Sequence, residues 1–357
     1  MACDRMPRLL IVNDYSISNS WRDAREKRSP IHFLYGVDYL EEDGFELTLV
    51  SEQRFPRLSA LDRRAGRLGV AFGSLDRQVA AWKDLGRVDA IYAPCQTQIQ
   101  TLTYLRALGL IRVPIIFLAH HRLVRGRLGR MFRPLTRLML QGVAAVPALS
   151  RVVADEANGL AGRSVGTALA WGPDAGFYPP AEYPGQGVLA AGRTGRDFVT
   201  FGRAASTAKT PVTILTLREG APAELISFAS NVTIVMAERF IDYSTTARMF
   251  ASSRALAIPM LAQNGLCGLT SLMDALGAGK PVIMTRNPLI DLDIEALGIG
   301  RWVDAGDVAG WVDALRFFTD NPEAATEMGR RARALVEAGL DYRSFSKQVA
   351  RIVRESL

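Results

Sequence analysis

Three cysteines and three histidines in 357 residues exclude a disulfide framework and leave little for a metal to bind. Cys3, Cys95 and Cys267 lie far apart, which suits a reducing compartment and gives no zinc ligand cluster. No metal and no bound cofactor are expected. No apolar run approaches the ~20 residues that span a bilayer, and MACDRMPRLLIVND carries charge where a signal peptide needs its apolar stretch. The protein is therefore expected in the cytoplasm. Acidic residues are outnumbered, 36 against 43 Lys plus Arg, yet the surplus is modest and follows no recognition-motif pattern, so nucleic acid is not expected as a partner.

What is present is alternation. Strand patterns at 9–12, 47–50, 90–93, 113–118, 143–149 and 165–170 interleave with helical patterns at 33–42, 101–108 and 151–158. The segment WGPDAGFYPPAEYPGQG, residues 171–187, is dense in proline and glycine and reads as a linker. A second series follows, with strands at 188–191, 212–217, 232–236 and 255–258 and helices at 198–206 and 244–252. Such alternation builds parallel sheets covered on both faces. Two doubly wound domains are expected: 1–171, then the linker 172–187, then 188–340. The tail from 322 onward is helical and broken at 339–341, with 341–357 as a last helix. Trp302, Trp311, Phe317 and Phe318 are expected in the core of the second domain.

The most informative stretch is RALAIPMLAQNGLCGLTSLMDALGAGKPVIMT, residues 254–285. It reads as strand, glycine turn, helix, strand. Gly265 and Gly268 fall where the backbone turns tightly, and a helix starts near Leu269, capped by Thr270 or Ser271. Its first-turn N–H groups and dipole would favour a phosphate. Asp274, one turn beyond Thr270, can accept two hydrogen bonds from a vicinal diol. A nucleoside diphosphate offers both groups. An ordinary βαβ crossover, whose glycines only pack helix on sheet, gives the same pattern.

The motif GLTSLMDALGAGKPV, residues 268–282, resembles the G-L-x-x-L-x-E-A-x-x-x-G-x-P-V element of retaining GT-B-fold glycosyltransferases, the metal-independent group that includes sucrose synthases (glycosyltransferase family 4-like, group 1). AAGRTGRD, residues 190–197, is similar to that family's G-R-x-x-(R/K)-(D/G) element, WGPD at 171–174 to its G-V-D, and AVPALS at 145–150 to its apolar strand ending in serine. The resemblance implies two Rossmann-like domains facing across a cleft, a last helix crossing back onto the first domain, and transfer of a sugar from a nucleoside-diphosphate sugar. It implies that Arg193 and Arg196 hold the diphosphate and stabilise its departure, with Gln263, Asn264, Gly268, Leu269, Thr270 and Asp274 binding the donor. It also implies same-face attack in which the departing phosphate takes the acceptor's proton. The match covers the second domain well and the first loosely. Two departures stand out: Leu266 occupies the register of the family's upstream glutamate, and the helix carboxylate is aspartate.

Cations at a helix start are disfavoured without an anion, which supports phosphate at Arg193 and Arg196; two solvated surface charges are the alternative. His120 and His121 follow the strand at 113–118, where the family places a histidine against the donor sugar. His120 is the catalytic candidate, able to hydrogen-bond a hydroxyl or carry positive charge, and His121 a donor contact. His32 reads as a helix-start or packing residue. The polar stretch 13–30 is taken as a long loop facing the acceptor, with Asp14, Tyr15, Ser16 and Trp21 as contacts. Residues 120–142, rich in arginine and leucine, form either a basic amphipathic helix for anionic membrane, which Pro134 and two glycines weaken, or a solvated domain helix or a set of phosphate-facing arginines. Rival readings are a sugar-nucleotide epimerase of similar architecture and a catalytically inactive GT-B protein that docks on membrane or a partner.

Overall fold

The computed structural model describes residues 5–357 except 14–15, 51–54, 68–71, 98, 125–128, 130, 220, 239–241 and 262–264. The chain divides into two compact units. One takes the N-terminal residues through Arg25, Ile31–Trp171 and Tyr342–Leu357; the other takes Glu26–Pro30 and Gly172–Asp341.

The first unit carries strands β1 (Arg8–Ile11), β2 (Glu46–Leu49), β3 (Ala90–Ala93), β4 (Ile115–Phe117), β5 (Val146–Ala148) and β6 (Gly166–Ala168). Its helices are α1 (Ile17–Arg25), α2 (Val37–Glu42), α3 (Pro56–Arg67), α4 (Leu75–Trp82), α5 (Gln100–Ala107), α6 (Arg133–Gln141) and α7 (Arg151–Ala161). The sheet runs β2-β1-β3-β4, all parallel, and β5 pairs with β6. Single bridges, Ile116 to Ala145 and Ala119 to Ala148, join the two sheets. Leu9, Leu10, Ile91 and Ile115 are fully buried, as parallel strands covered on both faces require.

The second unit carries β7 (Val188–Ala191), β8 (Val212–Leu217), β9 (Val232–Ala237), β10 (Ala255–Ile258), β11 (Val282–Thr285) and β12 (Gly300–Val303). Its helices are α8 (Phe198–Ala208), α9 (Tyr243–Ser252), α10 (Leu269–Gly277), α11 (Val308–Asp320) and α12 (Pro322–Glu337). All six strands are parallel in the order β12-β11-β10-β7-β8-β9. The chain winds outward from β7 through β8 and β9, then returns to the other side of β7 as β10. That reversal makes a topological switch point, and it lies where the glycine elements at 190–197 and 265–268 leave the sheet. Phe201 meets Trp311 edge-on at 5.2 Å, and with Leu315 and Phe318 they fill the core.

Helix α13 (Tyr342–Glu355) closes the first unit by packing on α2. The Tyr342 hydroxyl donates to Asp38, Arg343 pairs with Glu42 at 3.2 Å and Arg354 with Asp43 at 2.7 Å. Val349 lies 3.4 Å from where a Cβ on Gly36 would stand.

Several expectations are corrected. The helix expected at 33–42 splits into a 3₁₀ turn, Ile31–Leu34, and α2, because Tyr35 and Gly36 both take positive φ, 50° and 87°. The loop expected at 13–30 contains α1, whose start is held by Ser16 Oγ accepting from Asn19 N at 3.2 Å. Trp302 is only partly buried: its Nε1 donates to Asp293 at 3.2 Å and its ring lies under Arg286. The break in the C-terminal tail falls where expected, at Gly339 with φ 113°.

Candidate functional site

At the switch point of the second unit, Gly268 is the N-cap of α10 with φ 91°. A Cβ there would stand 2.7 Å from Met284 Cε and 3.1 Å from Ile258 Cγ2, so glycine lets the helix begin directly over β10 and β11. No side chain caps α10, contrary to the expectation for Thr270 or Ser271. Leu269 is buried and its N–H meets Leu266 O at 3.3 Å. The amides of Thr270 and Ser271 have no partner among the described residues, and Thr270 is exposed. This pair of orphan donors is the positive end of the helix dipole.

Arg196 is carried to that end by a short strap. Asp197 N donates to Pro259 O at 3.0 Å and Leu261 N to Gly195 O at 2.9 Å, around an antiparallel bridge between Arg196 and Met260. The guanidinium donates through Nε to Ala191 O at 3.2 Å and through Nη2 to Ser271 Oγ at 2.6 Å, while Nη1 meets Met260 Sδ. Of its five N–H groups, three are engaged. Gly192, with φ 140°, makes room for it: a Cβ there would fall 2.3 Å from Arg196 Nε. Burial pushes the guanidinium down to about 10, partly offset by Asp274, so it is charged at neutral pH. Arg193 is exposed. Asp197 itself caps α8, accepting from Thr200 N at 3.1 Å, so this helix start already carries an anion of its own and the arginines do not by themselves require an external one.

Asp274 is 4% exposed. Two tyrosine hydroxyls converge on its Oδ1, Tyr178 at 2.8 Å and Tyr243 at 2.5 Å. Its Oδ2 accepts no hydrogen bond among the described residues. Burial raises the carboxyl to about 6, against the pull of both tyrosines and Arg196. Oδ1 is thus taken by the two tyrosines, and Oδ2 is the oxygen left to accept from a ligand. Tyr178 and Tyr243 lie 96 and 31 residues from Asp274, and no local sequence pattern marks them. Ser271, considered only as a cap, instead accepts from Arg196.

In the first unit, His120 and His121 follow β4 and are only partly exposed. The buried Gln96 grips their backbone, its Oε1 accepting from His120 N at 2.7 Å and His121 N at 3.0 Å, and its Nε2 donating to His121 O at 3.0 Å. His120 Nε2 meets Pro94 O at 2.6 Å, which assigns the proton to Nε2 and leaves Nδ1 as an acceptor. Burial lowers His120 to about 4, with a smaller contribution from His121 in the same direction. Of the two roles open to His120, this favours the hydrogen bond over the positive charge, since the ring is neutral above that value. Its ring meets Tyr35 at 4.6 Å, and Tyr35 stacks on Trp171. His32, fully buried against Phe33 and Trp171, is the packing residue expected.

Trp21 lies beside the Arg25 guanidinium on α1, and Ser16 caps that helix. Asp14, Tyr15, Gln263 and Asn264 lie outside the described residues. Among the described residues no group of three or more His, Cys, Asp or Glu side chains could hold a metal ion, and no helix is long and apolar enough to cross a membrane.

No family model matches the chain, and no curated protein matches its sequence. Solved structures do. HepE of Anabaena in complex with UDP shares 13% identity over 98% of this chain and 100% of its own, with a TM-score of 0.66. The complex of HepE with UDP-glucose gives 14%, 98%, 99% and 0.66. Sucrose-phosphate synthase from Thermosynechococcus elongatus shares 12% over 98% of this chain and 99% of its own, with a TM-score of 0.69. A glycosyltransferase from Rickettsia africae shares 12% over 99% of both, at 0.62. The chain has the GT-B fold of glycosyltransferases, as its sequence leads one to expect.

Proposed function

We propose that the protein is a glycosyltransferase that moves a sugar from a nucleoside-diphosphate sugar to an acceptor hydroxyl, with retention and without a metal. The observation that carries this reading is the pair of unpartnered amides, Thr270 and Ser271, at the start of α10 beside a charged Arg196 that still has two N–H groups to give. Breaking a glycosyl–phosphate bond builds negative charge on the leaving diphosphate. Fixed N–H dipoles and a held cation stabilise that charge without reorganising at the moment of reaction. Arg196 is pinned by Ser271 and Ala191, so it is already in place. Arg193, exposed at the same turn, is the second cation. Asp274 Oδ2 takes one ribose hydroxyl, while the tyrosines hold the carboxylate still. His120, neutral, accepts a sugar or acceptor hydroxyl through Nδ1. UDP and UDP-glucose complexes of a protein with the same fold support a uridine donor.

A second reading has one observation in its favour: the buried Leu266 stands where the family pattern carries a glutamate. A binding protein that has lost its chemistry would retain nucleotide without turning it over, whereas an epimerase would consume a donor with no acceptor present.

A thermal-shift panel with UDP, GDP, dTDP, ADP and inorganic phosphate tests the donor site. A ligand at ~100 times its dissociation constant adds about 2.7 kcal/mol of stability. A selective rise with one nucleoside diphosphate is expected, and Arg196→Gln should weaken that ligand by about tenfold or more, as loss of a charge-assisted hydrogen bond does. No response to any nucleotide would refute the reading. Product formation from the selected donor, with and without acceptors, then separates transferase, epimerase and binding protein.

A further inference from the structure

Nothing in the donor chemistry uses the arginines of residues 120–142, and the charge around them is more one-sided than that segment alone shows. Between residues 90 and 154 there are nine arginines, no lysine and no aspartate or glutamate. The rest of the chain carries 34 basic and 36 acidic residues, so this one stretch holds the whole positive surplus. All of it belongs to the first unit.

The same stretch holds the three most exposed large apolar side chains among the described residues: Leu110 at 67%, Leu108 at 63% and Met131 at 62%. Leu135 is exposed too. Helix α6 turns Met139 and Leu140 inward, so Leu135 is left outside together with Arg133 and Arg137. Pro134 stands in the first turn of α6, where it needs no N–H partner and does not break the helix. Helix α5 packs beside α6, with Arg106 donating to Gly142 O at 3.2 Å, and ends in the turn that exposes Leu108 and Leu110. The exposed Arg112, Arg122, Arg133 and Arg137 form no ion pair among the described residues. The bordering acids are partly spoken for: Asp89 is paired with Arg5, and Glu156 accepts from Leu123 N.

We propose that the exposed side of α6 docks the protein on an anionic lipid bilayer, with Arg133 and Arg137 at the headgroups and Leu135 and Met131 entering the acyl boundary. Charge complementarity commits the surface to an anionic partner, because a stretch without a single acid repels nothing negative. The exposed aliphatic side chains then decide between polyanions. A nucleic acid is held by cations and by aromatic rings that stack on bases, whereas leucine and methionine gain from leaving water for lipid. The proposal is independent of the donor reading.

Flotation of the full-length protein with phosphatidylcholine vesicles, pure or mixed equally with phosphatidylglycerol, tests it. Binding only to the mixed vesicles, weakening as salt rises, is expected. The double variant Arg133→Glu, Arg137→Glu should bind them about tenfold or more weakly. Met131→Ser with Leu135→Ser should keep attraction at low salt and lose the part that survives high salt. The same charge change on α11 and α13, Arg316→Glu with Arg351→Glu, should leave binding nearly intact, which separates a face from net charge. The first unit's calorimetric transition, unchanged in the α6 variants, reports that they are folded. Equal binding to pure phosphatidylcholine, no binding to either vesicle, no effect of the α6 variants, or capture by RNA in place of vesicles would each overturn the proposal.

Discussion

Asp274 is the residue on which the second unit's electrostatics turn. Burial holds its carboxyl near 6, above the ordinary aspartate value, so the folded protein binds a proton more readily than the unfolded chain between about pH 4 and 6. Its contribution to stability is therefore full below that window and is lost as pH rises through it. Asn at this position is neutral throughout and can still accept both tyrosine hydroxyls. Relative to the wild type, Asp274→Asn should gain on the order of 2 kcal/mol on going from pH 4.5 to pH 7, read from urea unfolding at the two pH values. The opposite sign would mean that Arg196, Tyr178 and Tyr243 outweigh burial. At pH 7 the charged form is the one available to a ribose hydroxyl, so the same substitution should weaken nucleotide binding there. His120 presents the reverse case: with its ring held near 4, no limb of a pH profile between 5 and 8 is expected from it.

At the scale of elements, the site depends on how closely α10 can start over β10. Glycine at 268 suits the positive φ of 91°, and a Cβ there would also press on Met284 Cε. Gly268→Ala should cost about 1–3 kcal/mol in denaturant unfolding. It should also weaken nucleotide binding by more than stability alone explains, because the orphan amides would be displaced. Met284 Cε is the end of a flexible chain and can retreat, so the backbone conformation should dominate the cost. This element was legible in the sequence because its glycines, apolar face and flanking strands lie within about thirty residues. Helices α3 and α4, in contrast, are not legible in this way, since α4 buries Arg77 and Gln78 while Leu61 of α3 and Val79 and Trp82 of α4 stand exposed, so apolar residues do not mark the inner face.

For the whole molecule, two units with separate cores should unfold separately. Val349 of α13 is fully buried in the first unit, and a carboxylate there has no partner. Val349→Asp should lower the first unit's transition by several degrees or more in calorimetry. Nucleotide should raise the second unit's transition in the wild type and the variant alike. A single transition, shifted by both perturbations, would show that the units unfold as one.

The sequence by itself determined what depends on near neighbours: the alternation of strands and helices, the glycine turn into α10, the break at Gly339 and the arginine-rich stretch. Each is written within a few turns of helix or a few residues of strand, where periodicity and steric demand act directly. The tertiary structure alone decided the rest. It placed β10 beside β7 and so made a switch point of two motifs some seventy residues apart. It brought Tyr178 and Tyr243 onto one oxygen of Asp274, and turned Leu135 outward instead of Leu140. Hydrogen bonds and burial between distant residues leave no mark at either end until the chain has closed around them.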